Sequence, residues 1–264
     1  MAKRKKPTRI VRTTTRTATA ARAPRKLQLR TRTLYLGAIG AALAIAAALV
    51  IFSIATRGGD GSEPPRPTPL TLSGATATNA LLRGVPQQGN TLGSPSAPVT
   101  LVEYADPQCP YCAQWAHGAL PELVREYVRT GRVRIEYRGM AFIGPDSSTG
   151  LAAAVAAGNQ NKFWHFVDLL YANQGTENSG WINSALLGAI ADKVGVDSSR
   201  FDDERQSSAV ARAVSNSTLQ ARTAGINSTP TFYAGRTGGA LRPVNVTSLD
   251  ADALRPALDA LLAS

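Results

Sequence analysis

The chain has 264 residues, 44% of them hydrophobic and 18% charged, with two cysteines, two histidines and a formal net charge of +11. That apolar content excludes a wholly disordered chain, and two cysteines are too few for a disulfide-dense secreted scaffold. The charge is concentrated: twelve of the 29 Lys and Arg lie in residues 1–33, which hold no acid, leaving 17 basic against 18 acidic side chains in the rest. The body of the protein is therefore near neutral, and a basic nucleic-acid-binding face is excluded for it.

Residues 1–33 read as a disordered basic tail. It lacks aromatic residues for base stacking, so contact with anionic lipid is favoured over nucleic acid. Leu34 to Ala55 is an uncharged run of 22 residues, and a helix of that length reaches about 33 Å, enough for a hydrocarbon core of about 30 Å. With the basic cluster on its N-terminal flank, the positive-inside rule predicts a single-pass anchor, N-terminus cytoplasmic and the remainder outside. A cleaved signal peptide ending at Ser53-Ile54-Ala55 is the competing reading; the apolar run is longer than usual for one. Residues 56–93 are rich in Gly, Pro, Ser and Thr, including Glu63-Pro64-Pro65-Arg66-Pro67, and read as an extracytoplasmic linker.

Residues 94–264 are expected to form one domain. Val99 to Ala105 predicts a buried strand. Pro110 to Thr130 predicts a helix with Leu120, Leu123, Val124, Tyr127 and Val128 on its apolar face and a kink at Pro121. Val133 to Tyr137 predicts a second strand, completing a βαβ unit. Between about residues 147 and 225 apolar residues recur at helical spacing (Leu151 and Val155; Phe163, Phe166, Val167 and Leu170; Leu186, Leu187, Ile190 and Val194; Val210, Val214 and Ala221), predicting three or four helices. Phe163-Trp164-His165-Phe166 reads as helix core, and His165 receives no role. A strand over Ser228 to Tyr233, a turn over Gly235 to Gly239, a strand near Leu241 to Val246 and a last helix starting late because of Pro256 close the domain.

Cys109-Pro110-Tyr111-Cys112 stands between the first strand and the first helix of this domain. As a structural cross-link it would be weak, because closing a loop of about four residues removes only about 2 kcal/mol of unfolded-state entropy. Cys109, Cys112 and His117 have the first two spacings of a zinc knuckle, but Glu122 stands where its last ligand belongs, and His165 is remote. No metal and no cofactor is assigned. A redox-active dithiol remains as the preferred reading, with Cys109 at a helix N-terminus as nucleophile and Cys112, one turn in, as resolving thiol. Pro110 and Tyr111 between them tune the pair. Glu103, six residues before Cys109, is either a buried acid relaying a proton to Cys112 or an ion-paired strand residue. Asp106 is expected to be a loop or capping residue.

These motifs carry a resemblance. Gly93-Ser94-Pro95-Ser96-Ala97-Pro98, the run Val102 to Gln108 leading into the dithiol, Asn161-Lys162-Phe163-Trp164, and Gly225 to Phe232 resemble the DsbA-like thiol-disulfide oxidoreductases, especially the membrane-anchored bacterial branch. The resemblance spans about residues 90–262. It implies an α/β thioredoxin-like fold with a helical insertion, and a cis-proline at Pro230 that exposes the Thr229 backbone to an extended substrate. It also implies a disulfide donor for secreted or thiol-bearing unfolded proteins, reoxidised by a quinone-linked membrane partner. The strongest oxidants of the family carry His where this chain has Tyr111, which implies a less extreme potential. A reductase or isomerase of the same fold, and a non-catalytic membrane-tethered binding module, are the alternative functions.

Overall fold

The computed structural model describes residues 70–264; the predicted basic tail, the membrane anchor and the first part of the linker lie outside the described residues. Among the described residues no helix is long and apolar enough to cross a membrane.

The expected linker ends much earlier than residue 93. Helix α1 (Ala75–Leu82) and two short strands, β1 (Gln87–Gln88) and β2 (Thr91–Leu92), precede the predicted first strand. β1 and β2 form an antiparallel hairpin, and β2 pairs antiparallel with β4 (Val133–Gly139), Leu92 facing Ile135. Leu82, Val85 and Leu92 are buried in the main core. Strands of two residues have no period to read, and α1 is built from Thr, Ala and Asn beside two leucines, so composition suggested a linker where the core recruits an extra layer. Replacing Leu82 with Ala should therefore cost about 2–5 kcal/mol of stability. A lower denaturation midpoint with unchanged cooperativity would show it; a solvated linker residue would leave the midpoint where it is.

β3 (Val99–Ala105) is buried along its entire length. It runs parallel to β4 and antiparallel to β5 (Thr231–Arg236), which pairs with β6 (Arg242–Val244), giving the order β1-β2-β4-β3-β5-β6. Alternation along β3 sends Leu101, Glu103 and Ala105 to one face and Val102 and Tyr104 to the other. Leu101 and Ala105 belong to the main core with both cysteines, while Val102 and Tyr104 form a smaller cluster with Met140, Ala221 and Ile226.

The predicted helix over residues 110–130 is segmented into α2 (Pro110–His117), α3 (Ala119–Leu123) and a π turn over Val124–Val128. Pro121 has no N–H for the His117 carbonyl and its ring crowds that carbonyl, so the chain yields at Gly118, with φ −98° and ψ −82°. The break falls one turn before the proline that causes it. Five helices, not three or four, follow: α4 (Pro145–Gly158), α5 (Phe163–Ala172), α6 (Ser184–Val194), α7 (Ser198–Arg205) and α8 (Ser208–Thr223). α7 escapes the sequence because Phe201 is its single buried residue. Side chains of Asn183, Asp197 and Ser207 cap α6, α7 and α8 by accepting from the N–H groups of Leu186, Arg200 and Val210. α9 (Arg255–Ala263) starts late, as Pro256 requires, with the proline in its first turn.

Candidate active site

β3 ends at Ala105 and the chain turns through Asp106-Pro107-Gln108 into α2, with Cys109 as the residue that caps the helix in extended conformation. Both cysteines are free thiols. Cys109 is 4% exposed and Cys112 not at all. The Thr229–Pro230 peptide bond is cis, and the Thr229 carbonyl accepts from the Cys109 thiol at 3.3 Å. A loop 120 residues away in sequence thus lies against the sulfur. Trp115, one turn beyond the dithiol, packs on Phe232 of β5 with ring centroids 5.3 Å apart, locking α2 to the strand that follows Pro230.

The two thiols differ in acidity. A hydrogen bond from Cys112 to Cys109, followed by those of the Thr229 side chain and the backbone N–H groups of Cys112 and Tyr111, outweighs burial and lowers Cys109 from 9.0 to about 6. Burial first, then the Cys109 hydrogen bond and the charge of Glu103, push Cys112 well above its ordinary value. One sulfur is suited to leave and attack as a thiolate; the other must carry a proton when released.

Glu103 lies on the core face of β3, 1% exposed, with Oε1 lacking any hydrogen-bond partner. Burial first, and then the neighbouring Cys109 charge, raise its pKa well above 4.5. Among the described residues Glu103 forms no ion pair, which favours the buried-acid reading over the ion-paired one. Tyr111 is 62% exposed at the mouth of the site.

Several residues given no catalytic role in the sequence shape the loop. Asp106 is more than a capping residue: Oδ1 accepts from the Gln108 N–H at 2.8 Å and the Ser147 hydroxyl at 2.6 Å, and Oδ2 from the N–H groups of Phe142 and Ile143 at 3.0 and 3.2 Å. It thereby ties the end of β3 to the segment between β4 and α4. Gln108 and Asn178 bond each other reciprocally, at 3.1 and 2.7 Å. The Gln174 amide donates to the carbonyls of Pro107 and Cys109, both at 3.2 Å. The helical insertion therefore clamps the backbone of the dithiol loop from outside. Asp and Gln in a turn are too common for the sequence to reveal this clamping; the long-range partners lie 36–70 residues away.

The knuckle arrangement is not assembled. The Glu122 carboxylate pairs with Arg255 at 2.6 Å, and the His117 ring lies 3.5 Å from the Asp168 carbonyl. His165 pairs with Gln87 at 2.7 Å, and burial, with the charge of Lys162, lowers it to about 4, a neutral residue at the edge of the core.

The thioredoxin family model matches residues 87–249 of this chain. The probable disulfide bond formation protein D of Bacillus cereus is 32% identical over 173 residues, spanning 64% of this chain and 76% of that protein. A stretch of 154 residues is 33% identical to part of the Na(+)/H(+) antiporter NhaA 1 of Salinispora arenicola, 22% of that much longer chain. Among solved structures, oxidised BdbD from Bacillus subtilis superposes with a TM-score of 0.59 at 21% identity, covering 68% of this chain and 98% of that one. A thioredoxin-like oxidoreductase from Silicibacter pomeroyi gives 0.51 at 28% identity, covering 70% and 98%.

Proposed function

The chain belongs to the thioredoxin family, as a DsbA-like thiol-disulfide oxidoreductase, and from that premise we propose that it donates its Cys109–Cys112 disulfide to thiol-bearing proteins outside the cytoplasm, anchored by residues 34–55. The observation that carries this reading is Cys109 at the start of α2 against the Thr229 carbonyl at 3.3 Å, with Cys112 fully buried one turn behind it.

A substrate thiolate attacks Cys109 Sγ of the oxidised pair, and the electron pair of the broken bond leaves on Cys112. Buried Cys112 then takes a proton, for which Glu103 is the nearby acid. A second substrate thiolate attacks the substrate sulfur of the mixed disulfide, forming the product disulfide and releasing Cys109 as a thiolate. Two electrons have passed from substrate to protein, and a low-pKa thiolate leaves fastest. Lowering Cys109 from 9.0 to about 6 leaves it a thiolate at pH 7 and stabilises the reduced form, which moves the pair toward the oxidising side. The Thr229 backbone offers an edge for an extended substrate segment, and exposed Tyr111 offers an apolar contact beside it. Reoxidation falls to a quinone-linked membrane partner in this scheme.

The reduction potential of the full-length protein against glutathione tests the direction. A value toward about −120 mV supports a donor, whereas one near −270 mV reassigns the protein as a reductase. Alkylation of the reduced protein by iodoacetamide supplies a second expected result: Cys109 reacts with a midpoint near pH 6, and a midpoint near that of a free thiol, about 8.5, would remove the basis for the reading.

A further inference from the structure

Among the described residues four buried side-chain polar atoms lack a hydrogen-bond partner, and three of them, Glu103 Oε1, Trp115 Nε1 and Asp168 Oδ1, belong to residues lining the same internal cavity. Its volume is about 10 Å³, close to the space one water needs, and a buried water needs two to four polar partners. A water there would accept from the Trp115 N–H and from the protonated Asp168 carboxyl and donate to Glu103, giving all three orphaned atoms a partner at once.

The cavity has a second wall. Asp168, Ala116 and Tyr171 also line an open groove of about 740 Å³ beside α1, bordered by Thr78, His117, Arg125 and Arg129. Asp168 is 6% exposed and stands between the two spaces. Its Oδ2 accepts from the Thr78 hydroxyl at 2.5 Å, leaving Oδ1 for the cavity.

We infer that Asp168 acts through Glu103: it holds the outer end of a one-water bridge from the buried acid and carries the Cys112 proton between that acid and the groove. The inference rests on the reading of Glu103 as the proton donor to Cys112. When the Cys109–Cys112 bond breaks and its electron pair leaves on Cys112, Glu103 protonates that sulfur and becomes a carboxylate. The water returns a proton to Glu103 and takes one from Asp168, which recovers its own from groove water, so one proton moves from solvent to Cys112. During reoxidation the same proton runs outward.

The surroundings suit both acids to this exchange. Burial raises Asp168, opposed by the Thr78 hydrogen bond and by His117 on α2, and burial raises Glu103. Facing them are the hydroxyls of Tyr137 and Tyr171, which bond each other at 3.1 Å, with Cys109 and Cys112 beyond Glu103 and Arg125 and Arg129 on the groove side. A proton moving between two buried acids, each favoured in its neutral form, leaves no lasting charge inside.

The test is a double-mutant cycle on the full-length oxidised protein, following disulfide transfer to a model dithiol peptide across pH. Asp168→Asn is expected to slow transfer roughly tenfold at pH 7, within the range of proton-transfer catalysis, and to change the pH profile while the Cys109 alkylation midpoint stays put. Combined with Glu103→Gln it should add nothing beyond Glu103→Gln alone. A wild-type rate for Asp168→Asn, or additive losses, overturns the inference and leaves the Glu103 reading intact. A Glu103→Gln variant at wild-type rate removes that reading and the inference with it. Should Asp168→Asn fail to fold, Trp115→Phe, which deletes the N–H but keeps an aromatic ring, must show the same slowing and the same non-additivity; a wild-type rate overturns the inference equally.

Discussion

Cys112→Ser is expected to turn the protein into a trap. Attack of Cys109 on a disulfide-bearing protein still forms the mixed disulfide, since Cys109 keeps its place at the start of α2 beside Thr229. The resolving sulfur is gone, so the adduct persists until external thiol releases it. Non-reducing electrophoresis should show a thiol-sensitive adduct that mass spectrometry maps to Cys109. Cys109→Ser should form no such adduct, because Cys112 is fully buried and its thiol is held protonated, and should lose exchange by at least about a hundredfold. Adducts mapping equally to both cysteines would contradict the division of roles. Absence of adducts with either variant would favour a binding module in which the dithiol is incidental.

Glu103→Gln should move rate and stability in opposite directions. The buried carboxyl has its pKa raised by burial first, so in the fold it stays protonated at pH values where the unfolded chain is ionised. Its contribution to stability is full below about pH 4.5 and falls as pH rises toward the folded value. Glutamine has the same shape and does not titrate. The variant should therefore gain about 1–2 kcal/mol over the parent at neutral pH, with the gain vanishing below pH 4.5. Disulfide transfer should fall about a hundredfold as Cys112 loses its proton donor. Denaturation midpoints at pH 4 and pH 7, with transfer rates at pH 7, check both arms. A variant that is slower and also less stable at pH 7 would mean that Glu103 has a structural role.

Much of the site can be read along the chain because its parts are local. Two cysteines one helical turn apart, a proline in the first turn, and an apolar run before them place a dithiol at a helix N-terminus without reference to anything distant. The same holds for β3, which begins and ends where the apolar run does. Elements without a period were not legible. α7 has one buried side chain, β1 and β2 have two residues each, and α1 lies in a stretch whose Gly and Thr content reads as linker. Pro121 announced a break in its helix, but not that the chain would give way at Gly118.

By itself, the sequence determined the reaction class and pointed to the two sulfurs proposed to carry it, since cysteine spacing and the strand and helix around it are properties of neighbouring residues. Only the tertiary structure decided how the sulfurs differ and what surrounds them. Thr229 reaches Cys109 from 120 residues away, and Gln174 and Asn178 clamp the loop from the helical insertion. Asp168 meets the cavity beneath Glu103 from α5. The acidity of a buried group depends on which atoms share its low-dielectric surroundings, and those atoms are brought together by folding.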